Sequence, residues 1–175
     1  MGIKAFLSLP FAKFIVLKNK RWKYNAVKVQ QETMLQLLNQ AKNTIFGKEH
    51  FFKKIQNYAD FKKNIPIRDY EKLKPYIELI IRGKENVLWP EKPLYFCKTS
   101  GTTSGAKYIP ISIESMPNHI TVARDAILSY IAETKKTSIV NGKMIFLQGS
   151  PELSKTGGIL TGRLSGIVAH HIPAY

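Results

Sequence analysis

The sequence predicts an α/β fold, helical in its first third and followed by strands that flank a loop. Three observations carry that prediction. Apolar residues recur at helical spacing before residue 45. Two short runs rich in aromatic and β-branched residues bracket a Ser/Thr/Gly segment at 99–107. Beyond them a long helical pattern gives way to another apolar run. Met34, Leu37, Leu38, Ala41 and Ile45 define an amphipathic helix over about Val29 to Asn43, with Gly47 placed to end that region. Asp69 can cap a helical turn, Pro75 fits the first turn of the next helix, and Tyr76, Ile77, Ile80 and Ile81 form its buried face before Gly83. Leu94-Tyr95-Phe96-Cys97 and Tyr108-Ile109-Pro110-Ile111 read as strands. Ser115 then offers an N-cap to a helix with Pro117 in its first turn and Ile120, Ala123, Ile127 and Ile131 on one apolar face. Lys143 to Gln148 reads as a buried strand, broken by Gly149-Ser150-Pro151.

Composition sets limits. The 175 residues suffice for one ordinary domain, and 44% hydrophobic content places the chain among globular rather than disordered sequences. No internal period, low-complexity tract or Gly/Ser linker divides it. Its single cysteine, Cys97, excludes an intramolecular disulfide, which fits a reducing cytoplasm. Next to Phe96 in an apolar strand, that thiol reads as a small buried hydrophobe rather than a catalytic group.

The formal net charge is +15, and residues 1 to 63 hold 13 Lys/Arg against 3 Asp/Glu. Trp22, Tyr24, Phe51 and Phe52 lie among these lysines, so a non-catalytic basic module that binds nucleic acid or an anionic surface is one reading. The charges are dispersed, lysine far outnumbers arginine, and no nucleic-acid motif is present. A solvated lysine-rich surface, with no specific nucleic-acid partner, is therefore the favoured reading.

Residues 3 to 17 are mostly apolar but too short to span a bilayer. They contain Pro10 and lack a following cleavage signal, so no membrane insertion is expected. Phe6 stands where N-myristoylation requires Ser or Thr. The segment reads as a short helix that packs Phe6, Leu9, Phe14 and Leu17 onto the body, with peripheral membrane contact as the alternative.

Chemistry concentrates in Thr99-Ser100-Gly101-Thr102-Thr103-Ser104-Gly105-Ala106-Lys107, where five hydroxyls, two glycines and a lysine share nine residues. Glycines let backbone N–H groups turn toward an anion, and hydroxyls and an ammonium add donors and charge. By itself the segment is equally an ordinary polar connection. It is not a Walker A loop, which needs Gly-Lys-Ser/Thr five residues after its first glycine and a helix behind it.

A strand, a Ser/Thr/Gly-rich loop with a lysine, and a second strand resemble the phosphate loop of acyl-adenylate-forming enzymes. Ser100-Gly101-Thr102-Thr103 and Lys107 match that superfamily, whereas Ser104 and Ala106 replace the Gly and Pro of its usual loop ending. The continuation Lys107-Tyr108-Ile109-Pro110 is similar to the auxin-responsive-promoter family of acyl acid amido synthetases, in particular its bacterial members. Phe46-Gly47-Lys48-Glu49-His50, Ile65 to Tyr70, Phe146 to Ser150 and Thr161 to Ile167 extend the resemblance over nearly the whole chain.

The resemblance implies the N-terminal portion of a large adenylate-forming domain over residues 1–175, with the rest of that domain and a smaller C-terminal domain absent. It implies an ATP-dependent ligase that adenylates a carboxylic acid with Mg²⁺ and transfers the acyl group to an amine, usually an amino acid, to form an amide. This chain alone would be inactive. Ser100, Thr102, Thr103 and Ser104 would bind the β- and γ-phosphates, Gly101 and Gly105 would allow close backbone approach, and Lys107 would be the catalytic cation. An acyl-CoA-type thioester ligase is the alternative within the superfamily.

Other candidates read as structure. Gln148, Gly149, Ser150, Ser165 and Gly166 suit turns, although ligand contacts often follow strands in α/β proteins. Adjacent His170 and His171 would point to opposite faces of a strand, with no carboxylate or third histidine at metal-ligand spacing, so no zinc site is expected; isolated His50 and His119 read as packing or capping groups. Ser165 lacks the nucleophile-elbow pattern.

Overall fold

The computed structural model describes residues 2–99, 105–143, 145 and 147–172. The helices are α1 (Ile3–Lys20), α2 (Ala26–Ala41), α3 (Ile45–Glu49), α4 (Tyr58–Asn64), α5 (Tyr70–Ile81), α6 (Met116–Thr134) and α7 (Leu164–Ala169). The strands are β1 (Tyr95–Lys98), β2 (Tyr108–Ile111), β3 (Ser154–Thr156) and β4 (Ile159–Gly162), so the α/β expectation holds. They form one sheet in the order β2-β1-β4-β3. The β1–β2 and β3–β4 pairs are antiparallel, and β1 runs parallel to β4.

Side-chain alternation along β1 gives the sheet two apolar faces. Phe96, with Ile159 of β4, packs on Ile77 and Ile80 of α5 and on Val87. Tyr95 sits opposite Ile111 and packs with Met116 and Ile167 on the other face. Phe96 is fully buried, and truncating such a ring costs about 3–5 kcal/mol.

Asp69 caps α5 through a 3.0 Å bond from the Lys72 N–H to its carboxylate. Pro75 lies inside that one continuous helix rather than in the first turn of a second one. Thr44 caps α3 by accepting from the Gly47 N–H at 2.9 Å, and its hydroxyl donates to the Ala41 carbonyl. Gly47 is therefore inside α3, pressed on Ala41, where a Cβ would fall closer than 3.0 Å to that carbonyl. Phe46 stacks on His50, the Arg68 guanidinium lies 5.4 Å from the Phe46 ring centroid, and Tyr76 donates to Glu49. Burial and the Glu49 carboxylate hold the Tyr76 phenol above its ordinary pKa. Two of the motif segments thus meet in one aromatic cluster.

Three expectations are corrected. First, α1 packs on α6 through Ala12, Ile15, Leu128 and Ile131, with Leu9 alongside, whereas Phe6, Phe14 and Leu17 are exposed. Small Ala12 lets the two helices approach closely, and the bulky residues turn outward. Second, Ser115 makes no side-chain cap; its hydroxyl donates to the Ser112 carbonyl. The buried face of α6 is Met116, Leu128 and Ile131, with Ile127 partly covered and Ala123 exposed. Third, the described residues of 143–148 form no strand, and Ile145 and Leu147 are exposed. No described strand pairs with this run, and an apolar run without a ladder partner cannot satisfy its backbone as a strand. Met144 and Phe146 lie outside the described residues. Among the described residues, no helix is long and apolar enough to cross a membrane.

Candidate functional site

The loop at 99–107 joins antiparallel β1 and β2, as its flanking residues suggest. Lys98 pairs with Tyr108, and the Thr99 N–H donates to the Lys107 carbonyl at 3.0 Å, closing the base of the loop. Ser100, Gly101, Thr102, Thr103 and Ser104 lie outside the described residues. Gly105 has φ +82°, a left-handed conformation that favours glycine, and no heavy atom of the described residues lies within 4 Å of where a Cβ would stand.

Lys107 is half-buried, with Nζ 5.5 Å from the centroid of the Tyr70 ring. Tyr70 opens α5 directly after the Asp69 cap, and its hydroxyl accepts from the Tyr108 N–H at 2.8 Å. One aromatic side chain thus supports the lysine through its π face and fixes the following backbone through its hydroxyl. The Asp69-Tyr70 motif was legible in the sequence, but its tie to the loop was not, because the partners stand 38 residues apart.

Beside the loop base, the carboxyl ends of parallel β1 and β4 leave an open cleft of about 490 Å³. Cys97, Lys98, Arg163, Leu164, Ser165 and Val168 line it, so two cations flank a mostly apolar hollow at the ends of the two central strands. Cys97 is half-buried, consistent with a packing thiol. The Gly149 N–H donates to Ser165 Oγ at 2.9 Å, and a Cβ on Gly149 would meet Arg163 Cδ at 2.8 Å. A Cβ on Gly166 would fall closer than 3.0 Å to the Ser150 carbonyl. The segments at 149–151 and 162–166 are therefore held together by close glycine contacts, but not as two turns: residues 149–151 are irregular, and Ser165 and Gly166 lie in the first turn of α7, which corrects the turn reading of that pair. Arg163 was not singled out in the sequence; its motif was visible, but only the parallel pairing of β1 with β4 brings it near Lys98.

Three of the four histidines have structural partners. His50 Nδ1 is 2.9 Å from the Phe46 carbonyl, His170 Nε2 is 2.7 Å from the Pro151 carbonyl, and His171 Nε2 is 3.0 Å from the Tyr95 hydroxyl. Among the described residues no group of three His, Cys, Asp or Glu side chains is placed to hold a metal ion.

The chain spans about a quarter of the length of the curated relatives it matches. Jasmonoyl-L-amino acid synthetase JAR4 of Nicotiana attenuata is 28% identical over 141 residues, 79% of this chain and 24% of that protein. Indole-3-acetic acid-amido synthetase GH3.15 of Arabidopsis thaliana is 36% identical over 63 residues, 35% of this chain and 11% of that protein. The fold is shared with a solved GH3.15 acyl acid amido synthetase at a TM-score of 0.76 and 20% identity, over 91% of this chain and 29% of that one. A complex of AtGH3.15 with 2,4-DB gives 0.73 at 21% identity, over 84% of this chain and 26% of that one. The GH3 family N-terminal domain matches residues 18–174, and the chain belongs to that family.

Proposed function

We propose that this chain is the phosphate-holding beginning of an ATP-dependent ligase that joins a carboxylic acid to the amine of an amino acid. Residues 1–175 are read as part of the large adenylating domain, with the complete protein in the cytoplasm as the unit that turns over. The observation that carries the reading is the hairpin base, where Lys107 is braced on Tyr70 beside the left-handed Gly105. Family membership supports the same reaction class, since the relatives are named as amino acid-conjugating synthetases.

The chemistry asks for what this loop can supply. A carboxylate oxygen attacks the α-phosphorus of ATP, the bond to the β-phosphate breaks, and pyrophosphate leaves. The amine then attacks the acyl carbon, the bond to AMP breaks, and the amine proton goes to solvent. Two anions meet in the first step, so a fixed cation and preorganised donors lower the barrier. Lys107 offsets charge on the phosphates, Gly105 gives its backbone close approach, and Ser100, Gly101, Thr102, Thr103 and Ser104 supply the remaining donors. Mg²⁺ would add charge neutralisation on the triphosphate. Among the described residues no cluster of His, Cys, Asp or Glu side chains is placed to hold it.

Pyrophosphate–ATP exchange by the full-length protein tests the reading. Lys107→Ala is expected to reduce exchange by about 100-fold or more, the effect of deleting a preorganised charge partner. Unchanged exchange would overturn the role of that lysine. Product analysis with amines and thiols separates amide formation from the thioester alternative.

A further inference from the structure

Helix α1 is apolar on two opposite faces, and only one of them is used. Ala12 and Ile15 seat it on α6. At about 100° per residue, Ile3, Phe6, Leu7, Pro10, Phe14 and Leu17 fall on a stripe about 100° wide directly opposite. All six are exposed, with Phe6 at 68%, Phe14 at 62% and Leu17 at 69%. The same projection puts Lys13 and Lys20 along one border of the stripe and Lys4 and Lys18 along the other, all four exposed. Trp22 and Tyr24 are exposed immediately beyond the helix. The first 31 residues carry seven Lys/Arg and no Asp or Glu.

We infer that the outer face of α1 docks flat on an anionic phospholipid bilayer. The apolar stripe suits the boundary between headgroups and acyl chains, and lysines at both borders can extend to the lipid phosphates while their stems cover apolar surface. An 18-residue helix is about 27 Å long, enough to lie in the interface along its whole length. A second copy is disfavoured by charge. A two-fold interface sets a patch against itself, so lysine borders would face lysine borders with no carboxylate in the segment to offset them. Nucleic acid would answer the lysines but leave Ile3, Leu7 and Leu17 facing phosphates. The stripe also precedes the part of the chain that matches the family domain, which begins at residue 18.

The test is flotation of the full-length protein with vesicles of phosphatidylcholine, with and without phosphatidylglycerol. Binding is expected only where phosphatidylglycerol is present, and added salt should weaken it. Phe6→Ser, Phe14→Ser and Leu17→Ser together should reduce the bound fraction about tenfold or more, with an unchanged melting temperature because these side chains are exposed. Lys4→Gln with Lys13→Gln, Lys18→Gln and Lys20→Gln should do the same by removing the electrostatic part. Equal binding to both vesicle types, or binding unaffected by either variant set, overturns the inference. A wild type that stays off vesicles also overturns it. If that protein sediments as a dimer that the serine variant makes monomeric, the face belongs to a second copy; if it is monomeric, the face is covered by the rest of the protein.

Discussion

The Tyr70 hydroxyl accepts a 2.8 Å hydrogen bond from the Tyr108 N–H, tying the first residue of α5 to the first residue of β2. Lys107 projects over the same ring, so the base of the candidate loop is held through one side chain. Tyr70→Phe keeps the ring under Lys107 but leaves a half-buried N–H without its acceptor. The expected cost is about 1–2 kcal/mol in urea unfolding. Tyr70→Leu also removes the π face and should cost about 0.5–1 kcal/mol more. A Tyr70→Phe variant as stable as the wild type would show that the hydrogen bond does not anchor the loop.

Glycine substitutions should separate two reasons for having glycine. Gly83 has φ +89° with nothing within 4 Å of a built Cβ, so Gly83→Ala is expected to cost only the left-handed strain, about 1–2 kcal/mol. Gly157 has φ +57°, and its Cβ would fall closer than 3.0 Å to the Ile81 carbonyl, backbone that cannot step aside. Gly157→Ala is expected to cost about 3 kcal/mol or more, because strain and overpacking add. Calorimetric melting of the two variants checks the ordering, and equal shifts would contradict the close approach of the β3–β4 turn to α5.

These contrasts show which features a sequence makes legible. The α5 helix could be read because an Asp cap, a helical apolar spacing and a closing glycine all agree locally. The β1–β2 pair could be read from two short runs on either side of a polar loop. In α1 the bulky residues suggested the buried face, yet Ala5 and Ala12 are the residues fully buried there. Only the approach of α6, more than 100 positions later, selects the small-residue side. The run at 143–148 failed for a related reason, since its apolar composition says nothing about whether a partner strand lies beside it. At the candidate site, Lys107 and Gly105 were legible as chemistry. Their brace at Tyr70 and the neighbouring Lys98–Arg163 cleft depend on strand pairing that no local pattern encodes.

Acid should loosen the junction of α1 with α6 through Asp125. The Asn19 side-chain amide donates to Asp125 at 2.7 Å, and the Arg124 guanidinium donates to its other oxygen at 2.7 and 2.8 Å. Burial pushes the Asp125 carboxyl up, but the Asn19 amide, Arg124 and nearby Lys18 outweigh it and hold the group below the ordinary aspartate value. The folded protein therefore binds this proton less readily than the unfolded chain. The resulting stability is fully present above the unfolded value of about 3.9 and is lost as pH falls through the lower folded value. Glu114 is also held low, by its own backbone N–H and the Ser112 hydroxyl against burial, with Trp89 adding a further bond. Acid titration of the wild type alone would mix the two carboxyls. A double-mutant cycle of Asn19→Ala and Asp125→Ala isolates the first. Its coupling energy in urea unfolding should be about 0.5–1 kcal/mol at about pH 6 and should shrink toward zero as the pH falls below about 3. A coupling that is unchanged or larger in acid would mean that the Asn19 contact does not depend on the ionised carboxylate.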